Sequence, residues 1–330
     1  MACAARISIA MLGLLSCALA ATARAQSSLP GEPPHTEPLE SVLVVGEQPG
    51  PGLWKVSKDG NVLWLLATVG PLPDKLAWRS RQVEAVFTEA PELYTEPLFQ
   101  TYVGSKRDDQ VLLSKARRNV TGTTLKDLLP SDLYQQFVTL TDKYANGLED
   151  LEDLRPYVAA GELRRRAMVK VQLTWDGGVR KTIRRLAKRH RVTIRSLTHE
   201  DNSYARPALV WLDAIPRDRD IPCFQSMLAT LEADLQRAAV RANAWAIGDI
   251  AALRESVSPP AERALGACSE FLQPLISEGE ATAQQLADQA LRGALQRNRS
   301  TLALIPIAAI FDPQGILARF RADGYEVEEP

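Results

Sequence analysis

The sequence predicts an α/β fold, a central β-sheet flanked by helices with a helix-rich middle region. Three observations carry this. Strand-like apolar runs stand near both ends of the chain, "LWKVSKDGNVLWLLATV" from residue 53 and "TLALIPIAAI" from residue 301. Between them, from about 105 to 190 and again from 221 to 298, apolar residues recur at helical spacing. The first part of the chain then alternates strand, loop, helix and strand, the order that lays helices against a sheet.

Element by element, "SVLVV" at 41–45 is a short strand that "PGPG" ends. A hairpin follows, with Asp59-Gly60 as its tight turn. Val62 to Leu66 are almost all apolar, as in a strand buried on both faces, and Pro71 and Pro73 forbid its continuation. Position 70 therefore falls at the end of a sheet strand, where α/β proteins hold ligands, yet it is Gly70. "RSRQVEAVFTEA" is a helix and "ELYTE" the next strand. "LLPSDLYQQFVTLTDKY" is a helix with Ser131 as candidate N-cap. In "VRKTIRRLAKRHRVTIRSL" the apolar Val179, Ile183, Leu186 and Ala187 share one face, so the basic residues read as a solvated outer face rather than a nucleic-acid surface. His190 ends that helix, and a strand follows near 193–197. Residues 221–254 read as a long helix broken at Gly248-Asp249, with Asp249 capping a second, short one. After a further helical stretch, the chain closes as strand, turn, helix, Gly324 and a last strand.

Composition sets the compartment. Arg6 precedes the apolar run "ISIAMLGLLSCALA", and "ARA" at 23–25 supplies the small residues of a cleavage site, so residues 1–25 are read as a signal peptide for periplasmic or secreted export. Cys17 in "LLSC" offers a poorer alternative, lipidation. Residues 26–40, rich in Pro, Ser and Glu and containing His35, form a flexible leader. No later run is long enough for a transmembrane segment. The formal charge of −1 indicates no global attraction to nucleic acid. Of the 4 cysteines, Cys223 and Cys268 survive removal of the signal, and in an oxidising compartment they are expected to form a disulfide.

"GLWKV" at 52–56, "LWLLATVGPLP" at 63–73, "WRSRQVEAVF" at 78–87, "AWAIGDIAAL" at 244–253 and "GILARFRADGYEVE" at 315–328 stand in the order of, and together resemble, the TraB/GumN family. Its relatives include Tiki-type metal-dependent proteases. The resemblance covers nearly all of 41–330, which is read as a single α/β domain of that kind. It implies two Gly-x-x-His motifs, one after the strand containing "LW" and one before the last helix, whose imidazoles with neighbouring acidic residues hold a divalent metal that activates water.

Here the first motif reads Ala67-Thr68-Val69-Gly70 and the second Ile307-Ala308-Ala309-Ile310. Both histidines are gone, and neither Gly70 nor Ile310 offers a donor atom, so no metal cofactor is expected. The family's acidic position matches Glu96, and His199 lies in a loop after a strand, so a relocated site of Glu96, His199 and Asp312 is the surviving route to catalysis. No Gly-x-Ser-x-Gly nucleophile is present, and the hydroxyls of Thr68 and Ser80 have no histidine base beside them. The expectation is a pseudoenzyme that binds a peptide, glycan or partner protein in the old pocket, with Thr68, Trp78, Arg79 and Asp312 as its candidate walls. The rivals are a hydrolase rearranged around Glu96 and His199, and a structural partner that uses an outer helical face. A binding cleft requires Trp64, Trp78 and Arg79 to converge on open space; a scaffold would bury them.

Overall fold

In the computed structural model, which describes residues 50–330 apart from 149, 258 and 259, strands β1 (Leu53–Lys58) and β2 (Asn61–Thr68) pair antiparallel. The expected signal peptide, leader and first strand lie outside the described residues. Asp59 and Gly60 link the strands with φ of 52° and 79°, the left-handed conformations that a two-residue hairpin turn requires and that Asp-Gly supplies. Strands β3 (Glu92–Tyr94), β4 (Thr193–Arg195), β5 (Ser300–Pro306) and β6 (Glu326–Glu328) complete a mixed sheet in the order β6-β1-β2-β5-β3-β4. β2, β5, β3 and β4 are parallel, whereas β1 is antiparallel to both of its neighbours. β5, from near the end of the chain, thus enters the centre of the sheet, where its apolar run is buried.

Helices clothe this sheet and extend it into a second core. The helix Arg81–Phe87 lies between β2 and β3 in the chain, and Val179–Arg189 buries the expected Val179, Ile183, Leu186 and Ala187 before β4. Both pack into the sheet core with Trp54, Leu65, Trp245 and Leu304. The middle region builds its own core, in which Leu133, Phe137, Leu163, Phe224 and Leu228 meet from the helices Ser131–Tyr144, Pro156–Lys170 and Ile221–Ile247. The long helix Ile221–Ile247 ends at Gly248, with φ 71°, and Asp249 accepts the Ala252 amide at 3.0 Å to open the helix Ile250–Val257, as its sequence predicts. The disulfide between Cys223 and Cys268 is formed, with an S–S distance of 2.03 Å, and joins that long helix to the helix Pro260–Arg297.

Two local readings are corrected. Ser131 is the first helical residue rather than the cap; Pro130, with ψ 144°, holds the cap position and its carbonyl accepts the Tyr134 amide at 2.9 Å. The last long strand stops at Pro306, and Ile307–Phe311 forms a short helix. Pro306 has no amide to give a ladder, and its register partner Thr68 is the final residue of β2, so the strand loses its support there. Two short pairings were not anticipated: Leu72–Pro73 with Leu173–Thr174, and Leu98–Gln100 with Thr198–Glu200.

Candidate functional site

Because β2 and β5 are parallel neighbours, with Ala67 opposite Ile305 and Thr68 opposite Pro306, the segments 67–70 and 307–310 leave the sheet side by side. A cavity of about 230 Å³ opens there, with Thr68, Gly70 and Ile307 in its wall. This is the strand-end position at which α/β folds bind ligands. The two segments that the resemblance assigns to the motifs therefore meet at this cavity, and its chemistry is that of the side chains around them.

They do not suit a metal. A β-carbon on Gly70 would stand 1.9 Å from the carbonyl oxygen of Trp175, so the backbone of another segment fills the space a side chain needs at residue 70. Ile310 is buried in the core at 4% exposure and brings no donor. Ala67 is buried too, and its carbonyl accepts the Trp245 indole N–H at 2.7 Å. The residues standing at both motifs thus do not fit a divalent ion held in the family manner.

The relocated trio is not assembled. Glu96 lies two residues beyond β3, buried, with both carboxylate oxygens on Arg180 Nε at 2.9 and 2.6 Å. That hydrogen-bonded pairing raises the Arg180 pKa above its ordinary value. His199 lies in the strand Thr198–Glu200, its ring 6.0 Å from that of Phe99. Asp312 is exposed, and its Oδ1 accepts the Gln314 amide at 2.9 Å. Among the described residues, no three His, Cys, Asp or Glu side chains are grouped to hold a metal.

The expected aromatic cleft divides. Trp78 packs edge-on against Trp245 at 5.4 Å, partly buried on the sheet core, and Arg79 is exposed. Of the three residues, only Trp64 lines the larger cavity, about 640 Å³, beside Gly50, Gln82 and Glu89. Thr68 is the one anticipated pocket residue that lines the 230 Å³ cavity, alongside the motif positions Gly70 and Ile307.

What the sequence reading missed is the charge. Among the described residues, four charged side chains line the 230 Å³ cavity: Arg164 from Pro156–Lys170, and Asp234, Arg237 and Arg241 from Ile221–Ile247. Asp234 accepts Arg237 Nη2 at 2.6 Å. Arg241 is only 7% exposed, its Nη2 donates to the Pro71 carbonyl at 3.2 Å, and its Nε has no hydrogen-bond partner among the described residues. Burial pulls its pKa down to about 10; Asp234 opposes that shift, while Arg164 and Arg237 add to it. The Arg164 guanidinium lies 5.9 Å from the ring of Trp175. The signal was in the spacing: residues 234, 237 and 241 recur on one helical face that is otherwise rich in buried residues.

No curated protein and no solved structure matches the chain. The profile of the TraB/PrgY/gumN family matches residues 52–329, a span that holds all six strands of the sheet and both motif segments. The chain belongs to the TraB/PrgY/gumN family.

Proposed function

We propose that this family member is an exported protein that has given up metal-dependent hydrolysis and uses the pocket at the ends of β2 and β5 to bind a peptide, glycan or partner protein. The observation that carries the reading is the replacement at the two motifs: Gly70 lies under the Trp175 carbonyl, and the buried, apolar Ile310 stands at the second position. A cavity remains beside both motif segments, with Gly70, Ile307 and Ala308 in its wall. The pairing of Glu96 with Arg180 weighs against a rearranged hydrolase, because a carboxylate already held by two contacts is a poor base or metal ligand. Export rests on the N-terminal sequence alone, which predicts a mature chain starting at Gln26 and is checked by mass analysis of the N-terminus.

The test is a melt with zinc, manganese or cobalt, set beside a broad peptidase screen. A ligand at a hundredfold excess over its Kd stabilises the native state by about 2.7 kcal/mol, which a melt registers readily. No chelator-reversible shift and no hydrolysis are expected. A shift that disappears in Glu96→Gln and His199→Ala would instead move the chemistry to a relocated site and make the protein an enzyme.

A further inference from the structure

Two buried arginines in this chain are treated in opposite ways. Arg155, fully buried, meets Asp220 through Nε and Nη2, each at 2.6 Å, and gives Nη1 to the Leu212 carbonyl. Its charge is answered inside the protein. Arg241 has one carbonyl contact, an unpartnered Nε, and among the described residues no carboxylate within ion-pair distance. The carboxylate in its cavity, Asp234, is taken by Arg237, and Arg164 faces an indole ring. Among the described residues, three guanidinium groups against one carboxylate leave the lining with an excess of two positive charges. A buried charge without a partner is costly, so an arginine held this way calls for an anion from outside.

We infer that Arg164, Arg237 and Arg241 make the 230 Å³ pocket a receptor for an oxyanion, a carboxylate or phosphate carried at the end of the bound ligand. The inference rests on reading the pocket as a ligand site rather than a metal site. Guanidinium forks match the paired oxygens of these groups and hold them by charge-assisted hydrogen bonds. The cavity has the volume of about eight water molecules in the liquid, enough for the charged end of a ligand with a short stem and too little for a whole peptide or glycan. The remainder of the ligand would lie outside, where Trp175, 62% exposed, offers a ring beside Arg164.

The experiment titrates the purified protein with inorganic phosphate and, separately, with acetate at matched ionic strength, following binding by calorimetry and the melting temperature. Saturable binding of at least one anion is expected, and the stronger of the two identifies the group. Arg164→Gln, at a half-buried position, should weaken it at least tenfold, while Arg184→Gln on an exposed helix face should leave it unchanged. Arg241→Met should abolish it without lowering the melting temperature of the unliganded protein, since it removes a charge with no internal counterpart. Absence of saturable binding of either anion, or affinity unchanged in both Arg164→Gln and Arg241→Met, would overturn the inference. If phosphate and acetate fail while the metal melts stay flat, only the oxyanion receptor falls. Chelator-reversible stabilisation by zinc would instead overturn the proposed function, whatever the anions do.

Discussion

The carbonyl oxygen of Trp175 lies 1.9 Å from the place that a β-carbon on Gly70 would occupy. The antiparallel pairing of Leu72 with Thr174 and of Pro73 with Leu173 brings that segment against the strand-end loop. Glycine at 70 is thus a packing requirement of this chain. Gly70→Ala should cost roughly 1–3 kcal/mol or more through overpacking, measured by urea unfolding. Gly70→His combined with Ile310→His should not recover metal binding, because the backbone of residue 175 stands where the first imidazole must begin. An alanine variant as stable as the wild type would show that the Trp175 segment yields freely.

The disulfide is a second point of test. Cys223 and Cys268 close a loop of 45 residues between two long helices, and the loop-entropy model assigns such a link about 4 kcal/mol of stability. Cys223→Ala with Cys268→Ala, or reduction of the native protein, should lower the urea midpoint accordingly. Thiol labelling of the unreduced, denatured protein should find no reactive cysteine at either position. Labelling of both would remove the bridge from the account.

Legibility in the sequence followed the range of the interaction. The Asp59-Gly60 turn, the Asp249 cap and the apolar face of Val179–Arg189 depend on residues a few positions apart, and each is where periodicity and turn chemistry put it. The insertion of β5 between β2 and β3 depends on residues more than two hundred positions apart, and no local pattern specifies it. Glu96 looked free because its partner, Arg180, lies 84 residues away in a basic run whose periodicity placed its charges on a solvated face. Arg164 was lost in the same way within "RRRAMVK". Only the folded chain brings it, Arg237 and Arg241 to one cavity, where Asp234 is the one carboxylate among the described lining residues and pairs with Arg237.

The buried pair of Arg155 and Asp220 links the frame to the pocket. Both side chains are wholly enclosed and meet in two contacts of 2.6 Å. Arg155 caps the helix Pro156–Lys170 and Asp220 precedes the helix Ile221–Ile247, so the pair fixes the starts of the two helices that carry Arg164, Asp234, Arg237 and Arg241. Removing one partner leaves the other charge buried without compensation, and Asp220→Asn or Arg155→Ala should each cost about 3–5 kcal/mol in urea unfolding. Replacing both, as Arg155→Met with Asp220→Leu, should cost less than either single change predicts, because no buried charge is then left unpaired. The double variant should nevertheless bind the pocket's anion, whichever of phosphate and acetate the wild type takes, more weakly than the wild type, since the two helices lose the contact that sets their register while every pocket side chain remains. A cycle in which the single costs simply add, with anion affinity untouched, would make Arg155 and Asp220 independent of each other and of the site.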